Sequence, residues 1–87
     1  MNEDTDAVFT ALQNDEILYG EVESAAWYAA TVAADEDAFH DELMDELSRI
    51  ITDNRHVIPG FSHTEPIEYE NVSASDIADC FKYDDYR

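Results

Sequence analysis

The sequence predicts a mainly α fold: a small single-domain bundle of about four helices, with a long loop containing proline and glycine before the last one. Three observations carry this. Apolar residues recur at three- and four-residue spacing over most of the chain, which is the period of an amphipathic helix. The breakers Pro59, Gly60 and Pro66 fall in one stretch, and Gly20 is the only glycine outside it. Apolar residues make up 45% of 87 positions and ten are aromatic, enough for one modest core, so the chain does not read as a disordered acidic tail. A compact chain of this length has a radius of gyration of roughly 12 Å and forms one domain, residues 1–87.

The first helix is expected in "EDTDAVFTALQND", with Val8, Phe9 and Leu12 at helical spacing behind Asp4 or Thr5 as cap. A second is expected over roughly 16 to 34, where Val22, Ala25, Ala26, Ala29, Val32 and Ala33 are joined by Trp27 and Tyr28. Residues 24 to 34 are almost apolar all round, a pattern of cover on several sides. Trp27 is therefore expected in the core, while Tyr28 stays open. Gly20 could kink this helix or mark its true start, and "EILY" before it could be extended. The third helix, about 36 to 53, presents Phe39, Leu43, Met44, Leu47, Ile50 and Ile51 as a core face. After it, "NRHVIPGFSHTEPIEYENV" reads as the long loop, in which "IEYENV" could pair as a short strand or lie extended over the bundle. In "SASDIADCFKYDDY", Ser73 is the expected N-cap of a fourth helix, with Asp76 three residues on and Ile77, Cys80 and Phe81 facing inward.

Charge is the outstanding property. Asp and Glu number 22 against 4 Lys and Arg (Arg49, Arg55, Lys82 and Arg87), for a net charge of -18. Such self-repulsion opposes compaction and weakens with salt. Direct binding of nucleic acid or an anionic membrane needs basic groups that are nearly absent here, so neither is expected. The partner should be basic, or the solvent very salty. The lone Cys80 excludes an internal disulfide and fits a reduced cytoplasm. The start "MNEDTDAVF" has neither the basic nor the apolar region of a signal peptide, and no apolar run reaches the length of a membrane span.

Metal and catalytic readings are weak. Glu36 and His40 are four apart on one helical face, yet no calcium-loop pattern or H-E-x-x-H is present, and His40, His56 and His63 are scattered. Cys80 with a histidine could form a nucleophile and base pair, but its neighbours Ile77 and Phe81 suit a buried filler, and surrounding acids raise a thiol pKa. Neither a cofactor nor an enzymatic activity is expected.

The third helix concentrates the charge. Asp37, Asp41 and Asp45 recur at every fourth position, and Glu42 and Glu46 form a parallel row. Like charges at this spacing cost a few tenths of a kcal/mol per pair. From Glu36 to Asp53 seven acids occupy about 27 Å of helix, one per roughly 4 Å. One strand of B-DNA carries a charge per about 3.4 Å. The whole molecule compares similarly, since a net charge of -18 matches about 31 Å of duplex, close to the diameter of a sphere with the expected radius of gyration.

In its small size, extreme acidity, abundant aromatics and acid-studded helices, with "DEDAFHDELMDELSRI" as the best single piece, the chain resembles the acidic DNA-mimic anti-defence proteins of phages and mobile elements. Anti-restriction mimics and some acidic anti-CRISPR proteins belong to that group. The resemblance implies a non-catalytic inhibitor in the cytoplasm, that of the host if phage-encoded. It would occupy the DNA-binding groove of a restriction-modification enzyme, a CRISPR effector or a nucleoid protein. The carboxylates expected to face such a basic partner are Glu36, Asp37, Asp41, Glu42, Asp45, Glu46 and Asp53 on the third helix, with Glu68 and Glu70 in the adjoining loop. Tyr19, Tyr69, Tyr83 and Tyr86 lie near acids and could add contact area at the rim. Two alternatives stay open: a halophile's small structural or regulatory protein, and an antitoxin-like acidic partner of a basic protein. The Ala-rich second helix also leaves a homodimer open.

Overall fold

Asn2, rather than Asp4 or Thr5, caps the first helix: its side chain accepts the Thr5 amide at 2.7 Å, and α1 runs Glu3–Asn14. Thr5 is otherwise engaged, as the buried polar residue of the core. The computed structural model describes residues 1–58 and 66–87. Asp15 joins α1 to α2 (Glu16–Val32) by capping both, its amide donating to the Ala11 carbonyl at 3.2 Å and its carboxylate accepting from Ile17 and Leu18. The helix passes through Gly20 without a break, so "EILY" is helical. Asp35 then caps α3 (Glu36–Asp53) by accepting the Ala38 amide at 2.8 Å. The connections are short, as expected where consecutive helices lie side by side in a bundle.

Each helix buries one stripe. On α2 the stripe is Leu18, Val22, Ala25, Ala26, Ala29 and Ala30, and on α3 it is Phe39, Leu43, Leu47, Ile50 and Ile51. Alanines hold little volume, so α2 can lie close to its neighbours while larger side chains fill the middle. Phe39, Leu12, Leu43, Leu47, Ile58 and Ile77 are sealed from solvent, each worth about 1.5–3 kcal/mol of transfer free energy. The remainder of α2 is not covered on several sides. Trp27 is 53% exposed, Tyr28 52% and Ile17 77%, so the placement of Trp27 in the core is wrong. The alanines lie on the buried side, and the indole, on the flank, meets the Tyr86 ring edge to face instead.

The last helix is shorter than its sequence pattern suggests. Ser73 caps it as expected, accepting the Asp76 amide at 3.2 Å, but α4 spans only Ala74–Ala78. Extending it would set Asp84 and Asp85 at the negative end of a helix dipole. The chain instead turns, and a 3-10 segment, Tyr83–Asp85, brings Tyr83 and Tyr86 back over Phe39. Cys80 falls in that turn and is exposed, which corrects its expected inward position. The strand considered for "IEYENV" does not form: among the described residues there is no strand, and Tyr69–Asn71 is a 3-10 turn in which the Asn71 amide returns to the Glu68 carbonyl. Pro59 and Gly60 of the expected loop lie outside the described residues, as does His63. The Cα radius of gyration is 12.4 Å, with extents of 38 × 23 × 18 Å. Among the described residues no helix is long and apolar enough to cross a membrane.

Candidate partner-binding surfaces

The seven acids of α3 do not share one face. Glu36, Asp37, Asp41 and Asp45 are fully on the outside, because the core stripe fixes the helix rotation and places positions 37, 41 and 45 opposite it. Successive members of this row are about 6 Å apart along the axis. Among the described residues Asp37 and Asp45 meet no basic side chain. Glu42 and Glu46 are half-buried on the flank. Glu46 pairs with Arg49 one turn on, and that carboxylate raises the guanidinium pKa above its ordinary value.

Asp53 belongs to a different feature, a groove of about 850 Å³ between α2 and α3. Ile17, Glu21 and Tyr28 line it from α2, and Glu46, Arg49 and Asp53 from α3. Asn54 closes one end, donating from its side chain to the Ile50 carbonyl at 2.7 Å and to Glu21 at 3.4 Å. Glu68 and Glu70 sit elsewhere again, on the Tyr69–Asn71 turn beside the start of α1. There the Glu68 amide reaches Asp4 Oδ1 at 3.4 Å, and the Asn71 side chain donates to Glu68 at 2.9 Å. Eight of the nine expected partner-facing acids thus divide among the outer face of α3, the α2/α3 groove and the α1 end, and Glu42 lies on the flank of α3.

His40 reaches across to the α4 region. Its Nε2 lies 2.9 Å from Asp79 Oδ1 and 3.2 Å from the Ser75 carbonyl, and its Nδ1 lies 3.6 Å from Asp41, so it ties α3 to α4. No group of three His, Cys, Asp or Glu among the described residues is placed to hold a metal ion. Of the tyrosines expected at a rim, Tyr83 and Tyr86 are half-buried, donating to the Ala33 carbonyl at 3.2 Å and to Glu23 at 3.3 Å. Tyr69 is also half-buried, with Arg55 over its ring at 4.7 Å. Tyr19 is 44% exposed, and its hydrogen bond to Glu23 raises the phenol pKa.

Ile17 and Glu21 were not anticipated as site residues. Their signal is present in the sequence: position 17 breaks the 18, 22, 25 and 26 spacing of the core face, so an isoleucine there has nothing of its own chain to cover it. No family model, curated protein or solved structure matches this chain.

Proposed function

We propose that the protein is a non-catalytic DNA mimic that occupies the DNA-binding groove of a basic DNA-binding protein, such as a restriction-modification enzyme, a CRISPR effector or a nucleoid protein. The observation that carries this reading is charge for length. A net charge of -18 on a body 38 Å long is one charge per about 2.1 Å, against about 1.7 Å in duplex DNA. Asp37, Asp41 and Asp45, exposed and one turn apart, are the best candidates for standing in the place of phosphates. Self-repulsion along that row costs stability. Contact with Lys and Arg in a groove would relieve it, so folding and binding are coupled through the same charges.

The test is competition. Proteins captured from a host lysate on the immobilised chain should be DNA-binding proteins, should elute in a salt gradient, and should be displaced by duplex DNA. Reversal of the row (Asp37→Lys, Asp41→Lys, Asp45→Lys) should abolish capture. Capture that is insensitive to salt or to competing duplex, or that survives the reversal, overturns the proposal.

A second reading has its own observation. Ile17 and Tyr28 are exposed along an acid-lined groove, which suits an antitoxin-like interface centred on apolar contacts with a basic protein. Tyr28→Ala compared with the triple reversal ranks the two: loss of capture by Tyr28→Ala alone favours the antitoxin-like partner. A homodimer through this groove would bring two highly acidic surfaces together, which charge opposes.

A further inference from the structure

A second concavity, of about 240 Å³, lies where α1, α2 and the C-terminal segment meet. Its walls include the rings of Phe9, Tyr19, Phe81 and Tyr86 and the carboxylates of Glu23 and Asp85. The rings are inclined to one another: Phe9 and Phe81 are 6.4 Å apart at 61°, and Phe81 and Tyr86 are 6.2 Å apart at 46°. Glu23 is held in place by the Tyr86 hydroxyl, at 3.3 and 3.4 Å to its two oxygens, and Tyr19 lines the same pocket. Among the described lining residues none is basic, in contrast to the α2/α3 groove, where Arg49 already faces Glu46.

Aromatic faces carry negative charge density, and a pocket lined by aromatic residues beside a carboxylate favours an organic cation over an anion or a neutral group. A carboxylate offers about four acceptor sites, so the Tyr86 phenol leaves Glu23 capacity for a further donor. Hard metal ions are a poor match, because calcium takes 6–8 oxygen ligands and the rings supply none. The space is below the roughly 300–1,000 Å³ usual for drug-sized ligands and suits a single head group. We infer that this pocket binds one alkylammonium group, held by the rings of Phe9, Phe81 and Tyr86 with Glu23 as counter-charge. The group could come from a lysine side chain, plain or methylated, or from a free quaternary amine. The inference does not rest on DNA mimicry, since it concerns a different surface and is tested with free probes.

Trp27 is the single tryptophan, and its ring centroid is 5.2 Å from that of Tyr86, so its fluorescence reports on the pocket wall. The probes are tetramethylammonium, N-acetyl-lysine methylamide, its Nε-trimethyl form, and the neutral tert-butyl isostere of the last, all at ~0.15 M salt to screen long-range attraction. The cations should saturate a fluorescence change that the neutral isostere does not produce. Tighter binding of the lysine forms identifies a side chain as the natural occupant, and equal or tighter binding of tetramethylammonium identifies a free amine. Phe81→Leu should weaken the cations by roughly fivefold, the scale of one cation–π contact. Glu23→Gln keeps shape and decides the matter should Phe81→Leu fail to fold: it should weaken the cations several-fold, whereas Glu3→Gln, an equal loss of charge outside the pocket, should not. Equal binding of the neutral isostere, no saturable binding of any cation, or equal losses in Glu23→Gln and Glu3→Gln overturn the inference.

Discussion

The Thr5 hydroxyl accepts the Ser73 amide at 2.8 Å and lies 3.4 Å from the Asn71 carbonyl, joining the first turn of α1 to the residue that caps α4. Asn2 strengthens the same junction by donating to the Asn71 carbonyl at 2.7 Å. The first turn of α1 and the segment before α4 are thereby held by hydrogen bonds that span 66 to 69 residues, with Thr5 itself buried.

Thr5→Val keeps the shape and removes the hydroxyl. A fully buried donor left without its partner costs about 1–3 kcal/mol, and the Ser73 amide is half-buried, so the variant should lose about 1 kcal/mol in urea denaturation. For a domain of this size each kcal/mol lowers Tm by roughly 4–8 °C. Thr5→Ser retains the acceptor and should lose less. Equal stability of Thr5→Val and the native protein would mean that water satisfies the Ser73 amide.

Gly20→Ala should act in the opposite direction. Gly20 lies within α2, and a Cβ built there meets nothing within 4 Å. Alanine restricts the unfolded chain and favours helix, so a gain of about 0.5–1 kcal/mol is expected in the same denaturation assay. A loss would show that the glycine permits a backbone adjustment in this helix.

These two positions also show what a sequence discloses. Helices α1, α2 and α3 were legible because the apolar period holds over three or more turns, and α3 was placed at its observed limits, although the cap of α1 is Asn2 rather than Asp4 or Thr5. The length of α4 was not legible: its cap at Ser73 was clear, but where it stops depends on Tyr83 and Tyr86 packing on Phe39, more than 40 residues away in sequence. Trp27 misled for a related reason. An indole among alanines has no local signal to separate the core side from the flank, and its partner Tyr86 is remote. The acids of α3 were legible as charge, whereas their division between an outer row and a groove depends on where α2 lies. The pocket of Phe9, Glu23, Phe81 and Tyr86 draws on three segments, and no local pattern unites them.

His40 supplies a test of the α3–α4 junction. Its imidazole contacts Asp79 and the Ser75 carbonyl across that junction, and α4 is too short to hold itself. His40→Leu should leave α1 to α3 intact while the amides of Asp79, Cys80 and Phe81 exchange about tenfold faster, equivalent to ~1.4 kcal/mol of lost local protection. Unchanged exchange at these amides would assign the docking of α4 to Ile77 and Ala78 alone.

Alkaline pH should loosen the C-terminal segment through Tyr86. Burial first, and then the neighbouring Glu23 carboxylate, push its phenol from the ordinary 10.0 up to about 12. The neutral form is therefore the one the fold prefers. With the folded pKa above the unfolded one, the stabilisation is complete below pH 10 and is lost as pH rises from 10 toward 12. Tyr19, raised by its hydrogen bond to Glu23, acts with the same sign. Spectrophotometric titration of phenolate should show a late step near pH 12 that Tyr86→Phe lacks. In denaturant melts the native protein should lose stability across that interval more steeply than Tyr86→Phe, which cannot ionise there. Parallel pH profiles for the two proteins would show that the Tyr86 hydroxyl is not held against Glu23 in solution.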